Sequence, residues 1–123
     1  MRPDDSIFRQ LVDAVDDEAL FMIDPGGRVL TWGRGAERSI GYALEEAIGR
    51  SFEMFYCAAD IVRGVPYEDL EIAAREGRLE RPGWRISATG QRYLAHTSLT
   101  AVRVEDTIVG FACLTRAVPT AAP

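Results

Sequence analysis

The sequence predicts an α+β domain built on one antiparallel sheet, with short helices on one sheet face. Three observations predict it. Stretches with helical and strand-like patterning follow one another as helix, two strands, several short helices, three strands. Gly41 and Gly49 each end a short apolar segment, and eight residues separate them. That is the punctuation of one- and two-turn helices, because glycine accepts the left-handed position after a helix end without a Cβ penalty. Finally, Arg92 to Val104 alternates cleanly, with Tyr93, Ala95, Thr97, Leu99 and Ala101 on one face and Leu94, His96, Ser98, Thr100 and Val102 on the other. The helices lie between the second and third strands, so they must cross one sheet face. A cleft between sheet and helices is then the natural ligand site.

Each element has its own warrant. Ile7, Phe8, Leu11, Val12 and Val15 form one apolar stripe at helical period, with Asp5 or Ser6 able to cap its start. An amphipathic helix must bury such a stripe, either on its own sheet or against a second copy of the chain. Ala19 to Ile23 is a continuous apolar run, short enough for a buried strand. Asp24-Pro25-Gly26-Gly27 is a turn, and Arg28 to Trp32 is a second strand, so the two are expected to form a hairpin. Glu37 to Tyr42 and Leu44 to Ile48 read as two short helices, and Phe52 to Tyr56 as a partly helical aromatic lining. Asp60 marks a further turn. Pro66 then sits in the first turn of a longer helix, where its missing N–H costs nothing, and Gly77 stops it. Leu79 to Ser87 is a strand whose Pro82-Gly83 pair suggests a bulge or a sheet edge. Arg92 to Val104 and Ile108 to Leu114 are the last two strands, joined by a turn at Glu105-Asp106. The chain therefore divides into an amphipathic helix at 1–17, a domain at 18–117 and an Ala/Pro-rich tail at 118–123 that is expected to be unstructured.

Composition narrows the function classes. The 123 residues suffice for one domain with one core, and a 47% apolar, 27% charged composition is that of a globular protein. The net charge of −5 argues against a nucleic-acid partner, which needs a phosphate-neutralising surface. No apolar run approaches a membrane span and no basic-then-apolar leader opens the chain, so a cytoplasmic location without membrane contact is expected. Cys57 and Cys113 form no C-x-x-C and read as free thiols. One histidine and two scattered cysteines cannot close a metal site. Nothing places a nucleophile beside a base, so catalysis is not expected.

The string from Trp32 through Gly35-Ala36-Glu37, Gly41-Tyr42 and Glu45-Glu46 to Ile48-Gly49-Arg50 and Phe52 resembles a PAS domain, a sensory and interaction module of signalling proteins. Asp24-Pro25-x-Gly27, Gly77-Arg78-x-Glu80, Gly83-Trp84-Arg85, Gly90, Gly110-Phe111 and Thr115-Arg116 extend the resemblance over about residues 7 to 117. It implies a five-stranded antiparallel sheet in the order 2-1-5-4-3. It also implies a sensor of small molecules, light, oxygen or redox state, or a dimerisation module, serving a histidine kinase, a transcription factor or another output. The chain departs from the family pattern at three places. Trp32-Gly33 replaces Trp-Asn, removing a helix cap. Ala88-Thr89-Gly90 replaces Lys-Asp-Gly, taking away the usual partner of Glu37. Thr115-Arg116-Ala117 replaces Thr-Arg-Asp. Haem ligation in this family needs a histidine on the long helix, and residues 66 to 77 contain none, while His96 falls on the strand parity opposite the cleft. A photoactive flavin domain needs a cysteine where this chain has Phe52. No cofactor is therefore expected.

The cleft is expected to be lined by Phe21, Ile23, Ile40, Phe52, Tyr56, Ala95, Thr97 and Ile108, with Arg85 pointing into it if Trp84 faces outward. Arg85 is then available to pair with Glu37 or with an anionic ligand. Small Ala95, Thr97, Gly110 and Ala112 favour a ligand pocket, whereas bulky Phe21, Phe52, Tyr56 and Tyr93 favour a filled core in a pure interaction domain. A homodimer is expected through Ile7, Phe8, Leu11, Val12 and Val15 together with Trp84. Leu20, Met22, Leu94, Val102 and Phe111 are the other apolar candidates for the outer sheet face.

Overall fold

The structure, a computed structural model, describes residues 18–118. The expected helix with Ile7, Phe8, Leu11, Val12 and Val15, and the tail from Pro119 onward, lie outside the described residues.

Strand β1 (Ala19–Ile23) buries Ala19, Phe21 and Ile23 and leaves Leu20 and Met22 half-buried, the alternation of a strand covered better on one face. Three short helices and a 3₁₀ turn follow: α1 (Arg34–Ile40), α2 (Leu44–Ala47), the 3₁₀ turn Phe52–Phe55, and α3 (Ala58–Val62). Helix α1 starts on Gly33 with no side-chain cap and closes on Gly41 in the left-handed region, φ 104°. In α2, Glu46 reaches back to accept the Ala43 N–H at 2.7 Å. Ser51 caps the 3₁₀ turn by accepting from Glu53 N–H at 3.2 Å. Helix α4 (Val65–Glu76) carries Pro66 in its first turn and ends on Gly77. It buries Pro66, Asp69, Leu70 and Ala73 along one side. Strands β2 (Arg78–Ile86), β3 (Arg92–Val104) and β4 (Thr107–Ala117) complete the chain.

The sheet has four strands in the order β1-β4-β3-β2, all antiparallel, rather than the five expected. The expected strand Arg28–Trp32 is the difference. It makes isolated bridges, Ile23 to Val29 and Arg28 to Ser51. Two groups of bonds divert it. The Thr31 side chain takes the Met22 N–H at 2.8 Å, where a paired strand would offer a carbonyl. Val29 N–H donates to Arg50 O, and Val29 O accepts from Gly49 N–H, both at 2.9 Å. With its backbone shared between β1 and the loop before the 3₁₀ turn, the segment has no continuous ladder. The remaining strands keep the relative order implied by the resemblance.

Pro82 and Gly83 do lie on an edge strand, and the β2–β3 register runs unbroken from Arg78 opposite Thr100 to Ile86 opposite Arg92. The last strand is not unbroken. Val102 pairs with Gly110 but Arg103 pairs with Ile108, so Val109 is an extra residue. Such a bulge reverses the side-chain parity of everything beyond it. Ile108 packs half-buried against the core, and on the far side of the bulge Phe111 and Cys113 are buried in it. Phe111, expected on the outer face, is 3% exposed and opposes Ile23. Ala112, counted on as a small cleft residue, opposes Met22 on the outer side instead.

A cavity under Arg85

The core sits between the inner sheet face and the helices. Phe21 meets Trp32 and Phe55 at ring-centroid distances of 5.2 Å each, and Trp32 stacks on Phe55 at 5.5 Å. The Trp32 indole N–H donates to Tyr42 O at 2.8 Å, so the tryptophan is buried without leaving its donor unpaired. Gly27 brings the hairpin turn onto this layer. Its φ is +93° and a Cβ there would stand 2.7 Å from the Phe52 ring, so both the backbone and the space require glycine.

A cavity of about 30 Å³ lies between these aromatic rings and the sheet. Of the expected lining residues, Phe21, Phe52, Tyr56, Arg85 and Thr97 border it. Ile23, Ile40 and Ala95 are fully buried core residues outside the lining, and Ile108 packs on the core at its edge. Phe55, Ser98, Leu99, Cys113 and Thr115 line it without having been expected. Phe55 follows Phe52 by three residues, the period of a 3₁₀ turn, which sets both on one side. Cys113 and Thr115 were hidden by the bulge at Val109.

Arg85 is the charge in this cavity and is 7% exposed. Trp84 does face outward, 43% exposed, with the Arg92 guanidinium 4.4 Å over its ring. The expected pairing of Arg85 with Glu37 is absent: Glu37 is exposed on α1, and among the described residues Arg85 enters no ion pair. Its guanidinium lies 4.0 Å over the Tyr56 ring. It donates from Nη1 to Trp84 O at 2.9 Å and from Nη2 to Thr97 Oγ1 at 3.4 Å. The head group curls back over Gly83, where a Cβ would meet Nη1 at 2.8 Å. A side chain at position 83 would therefore push the guanidinium aside.

A second arginine, Arg81, stands four residues before Arg85 on the same strand face. Arg81 pairs with Asp69 of α4, and Tyr56 O–H donates to the other Asp69 oxygen at 2.8 Å. Thr97 O–H donates to Arg81 O at 3.2 Å. Arg85, Tyr56, Asp69, Arg81 and Thr97 thus link the 3₁₀ turn, α4, β2 and β3 in one network, and a backbone bridge joins Tyr56 to Arg85 directly. Burial pushes the Asp69 carboxyl above its ordinary value, while the Tyr56 hydroxyl, Arg81 and Arg85 pull it back. Burial raises the Tyr56 phenol and the Cys113 thiol far enough to keep both neutral, although Arg85 opposes each shift. The sequence does carry a signal for Asp69: it is a carboxylate on the apolar side of α4, three residues after Pro66 and four before Ala73.

His96 opposes Pro82 on the outer sheet side, away from the cavity. Among the described residues no three His, Cys, Asp or Glu side chains gather as a metal site would need, and no helix is long and apolar enough to cross a membrane.

No protein-family model matches the chain. It is 41% identical over 109 residues to two-component system protein A of Emericella nidulans, which is 89% of this chain but only 16% of that protein. In three dimensions it matches the PAS domain of a Colwellia psychrerythraea protein with a TM-score of 0.81 and 20% identity, over 93% of this chain and 98% of the other. It also matches the PAS domain, in complex with ethanol, of a LuxR-family transcriptional regulator from Burkholderia thailandensis. There the TM-score is 0.72 and the identity 14%, over 89% and 96% of the two chains.

Proposed function

This chain is a PAS domain by fold, and on that premise we propose that it is a sensory module of two-component signalling that reads a small ligand held between sheet and helices. The cavity beside Arg85 carries the reading. Its 30 Å³ gives room for about two waters, hence for a ligand of a few non-hydrogen atoms. Ethanol, bound by the Burkholderia thailandensis PAS domain, is of that size. Phe21, Ile23, Ile40, Phe52, Tyr56, Arg85, Ala95, Thr97 and Ile108 remain the ligand-binding set of this reading, with the cavity-bordering residues making the contacts and the others shaping the wall. Such a sensor signals only if the ligand binds two conformations with different affinity, and Tyr56, which borders the cavity, ties the ligand site to Asp69 and Arg81. In this reading the output partner is a histidine kinase, a transcription factor or another signalling output, and the compartment is the cytoplasm. The name of the Emericella nidulans relative supports the signalling part of this reading.

Titration of the isotopically labelled chain with ethanol-sized compounds, followed by amide NMR, tests it. Saturable shifts at Phe21, Tyr56 and Thr97 are expected. If no such compound saturates and the freshly purified protein carries no bound small molecule, the second reading takes over. That reading is a ligand-free interaction domain, and the bulk of Phe21, Phe52, Phe55 and Tyr56 around so small a cavity is the observation in its favour.

Either reading includes a homodimer. The outer sheet face presents Trp84 at 43% exposure beside half-buried Leu20, Met22, Leu94 and Val102. The stripe Ile7, Phe8, Leu11, Val12 and Val15 precedes β1 in the chain, and two copies related by a two-fold axis cover stripe and face together.

A further inference from the structure

We propose that the ligand of this cavity is a small anion, a one- or two-carbon carboxylate, bound through the Arg85 guanidinium. The inference rests on the small-ligand reading above and adds the ligand's charge. The strand face of β2 carries two arginines, and the carboxylate network beside it contains one acid. Asp69 pairs with Arg81. Arg85, 7% exposed, has only neutral oxygens and the Tyr56 ring around it. A guanidinium removed from water calls for a counter-charge, and a carboxylate matches its donor fork. Of the nearby acids, Asp69 feels the Arg85 charge but is engaged by the Tyr56 hydroxyl and Arg81, and burial holds the Tyr56 phenol and the Cys113 thiol in their neutral forms.

The site around Arg85 is built rather than incidental. Gly83 leaves the space into which the guanidinium folds, and no side chain at that position would let it lie there. Trp84 O and Thr97 Oγ1 hold the two Nη atoms, and the Tyr56 ring supports one face. Two of the five N–H donors of the head group are used in these bonds, so donors remain for a ligand. Thr97 and Thr115 put hydroxyl-bearing residues in the cavity lining, while Phe21, Phe52 and Phe55 accept a short apolar tail. The volume limits that tail to about one methyl group. So small a ligand binds at best in the tens of micromolar and is expected nearer millimolar.

The test is a titration of the full chain with sodium formate and sodium acetate, against formamide and acetamide, at constant ionic strength. Arginine Nε–H and backbone amide NMR signals report binding. The carboxylates are expected to shift the Arg85 Nε–H and the Thr97 amide saturably, with the carboxamides at least tenfold weaker. Gly83→Ala has no left-handed backbone to strain and displaces only the guanidinium. It should keep the wild-type amide spectrum away from Arg85, which shows the fold intact, and weaken formate and acetate at least tenfold. Arg85→Lys, which keeps the charge, assigns the Nε–H signal by its loss and should retain part of the binding. Equal binding of carboxylates and carboxamides, or carboxylate binding untouched by Gly83→Ala, overturns the anion and leaves the small-ligand reading standing. If neither class saturates and ethanol does not either, both fall.

Discussion

Asp69 is 1% exposed, and it holds Tyr56 and Arg81 at once. Its consequences are readable from its surroundings. Its carboxyl is raised above the ordinary value because burial outweighs the hydroxyl and the arginines. The folded state therefore binds the proton more tightly than the unfolded state does. Stability from this group is fully present below the unfolded carboxylate pKa of about 4 and is lost as pH rises through the folded value. Urea unfolding of the wild type and of Asp69→Asn over a pH series checks it. The wild type should lose stability relative to the variant as pH rises from about 4, and the reverse slope would mean that the arginines, not burial, dominate. At this scale the sequence was legible where parity decided. Alternation around Trp84 sent Arg85 inward, as the structure has it. It was illegible where a partner came from a distant element. Nothing local to Arg85 tells that Asp69 is taken by Arg81, or that Glu37 points to solvent.

Elements were legible where one residue type has one use. Gly41 and Gly77 ended helices, Pro66 began one, and Pro82 marked an edge strand. Two features escaped for the same reason, that backbone pairing is set by the neighbouring strand. Arg28 to Trp32 has strand composition, yet the Thr31 hydroxyl and the Gly49–Arg50 backbone compete for its partners. The bulge at Val109 leaves no mark in composition and turned Phe111 and Cys113 inward. The β3–β4 turn offers a test of how much local conformation costs. Glu105 and Asp106 hold φ of 50° and 68°, the left-handed pair of a type I′ hairpin. Each L-residue there gives up about 1 kcal/mol. Glu105→Asn combined with Asp106→Gly should raise the stability by about 1 kcal/mol, read as a higher urea midpoint at unchanged slope. An unchanged midpoint would show that the sheet, not the turn, sets the connection.

The whole molecule has two sides with different work to do. The inner face is closed by helices and rings, and the outer face is left with Trp84 and its half-buried neighbours. The dimer proposed for that side predicts a two-fold mass by sedimentation at tens of micromolar, where an interaction of about 8 kcal/mol is populated. Changing Leu11 and Val15 to Glu should give a folded monomer, and a wild type that sediments as a monomer at that concentration refutes the dimer. The split between the faces also leaves the protein with its own pair of optical labels. The chain has two tryptophans, and the sheet lies between them. Trp32, 8% exposed and stacked on Phe55 at the inner layer, should emit to the blue and resist iodide. Trp84, 43% exposed beneath Arg92, should emit to the red and be quenched. Ligand entry and subunit contact can then be followed in one cuvette at two ends of one emission band, with no dye attached and no residue replaced.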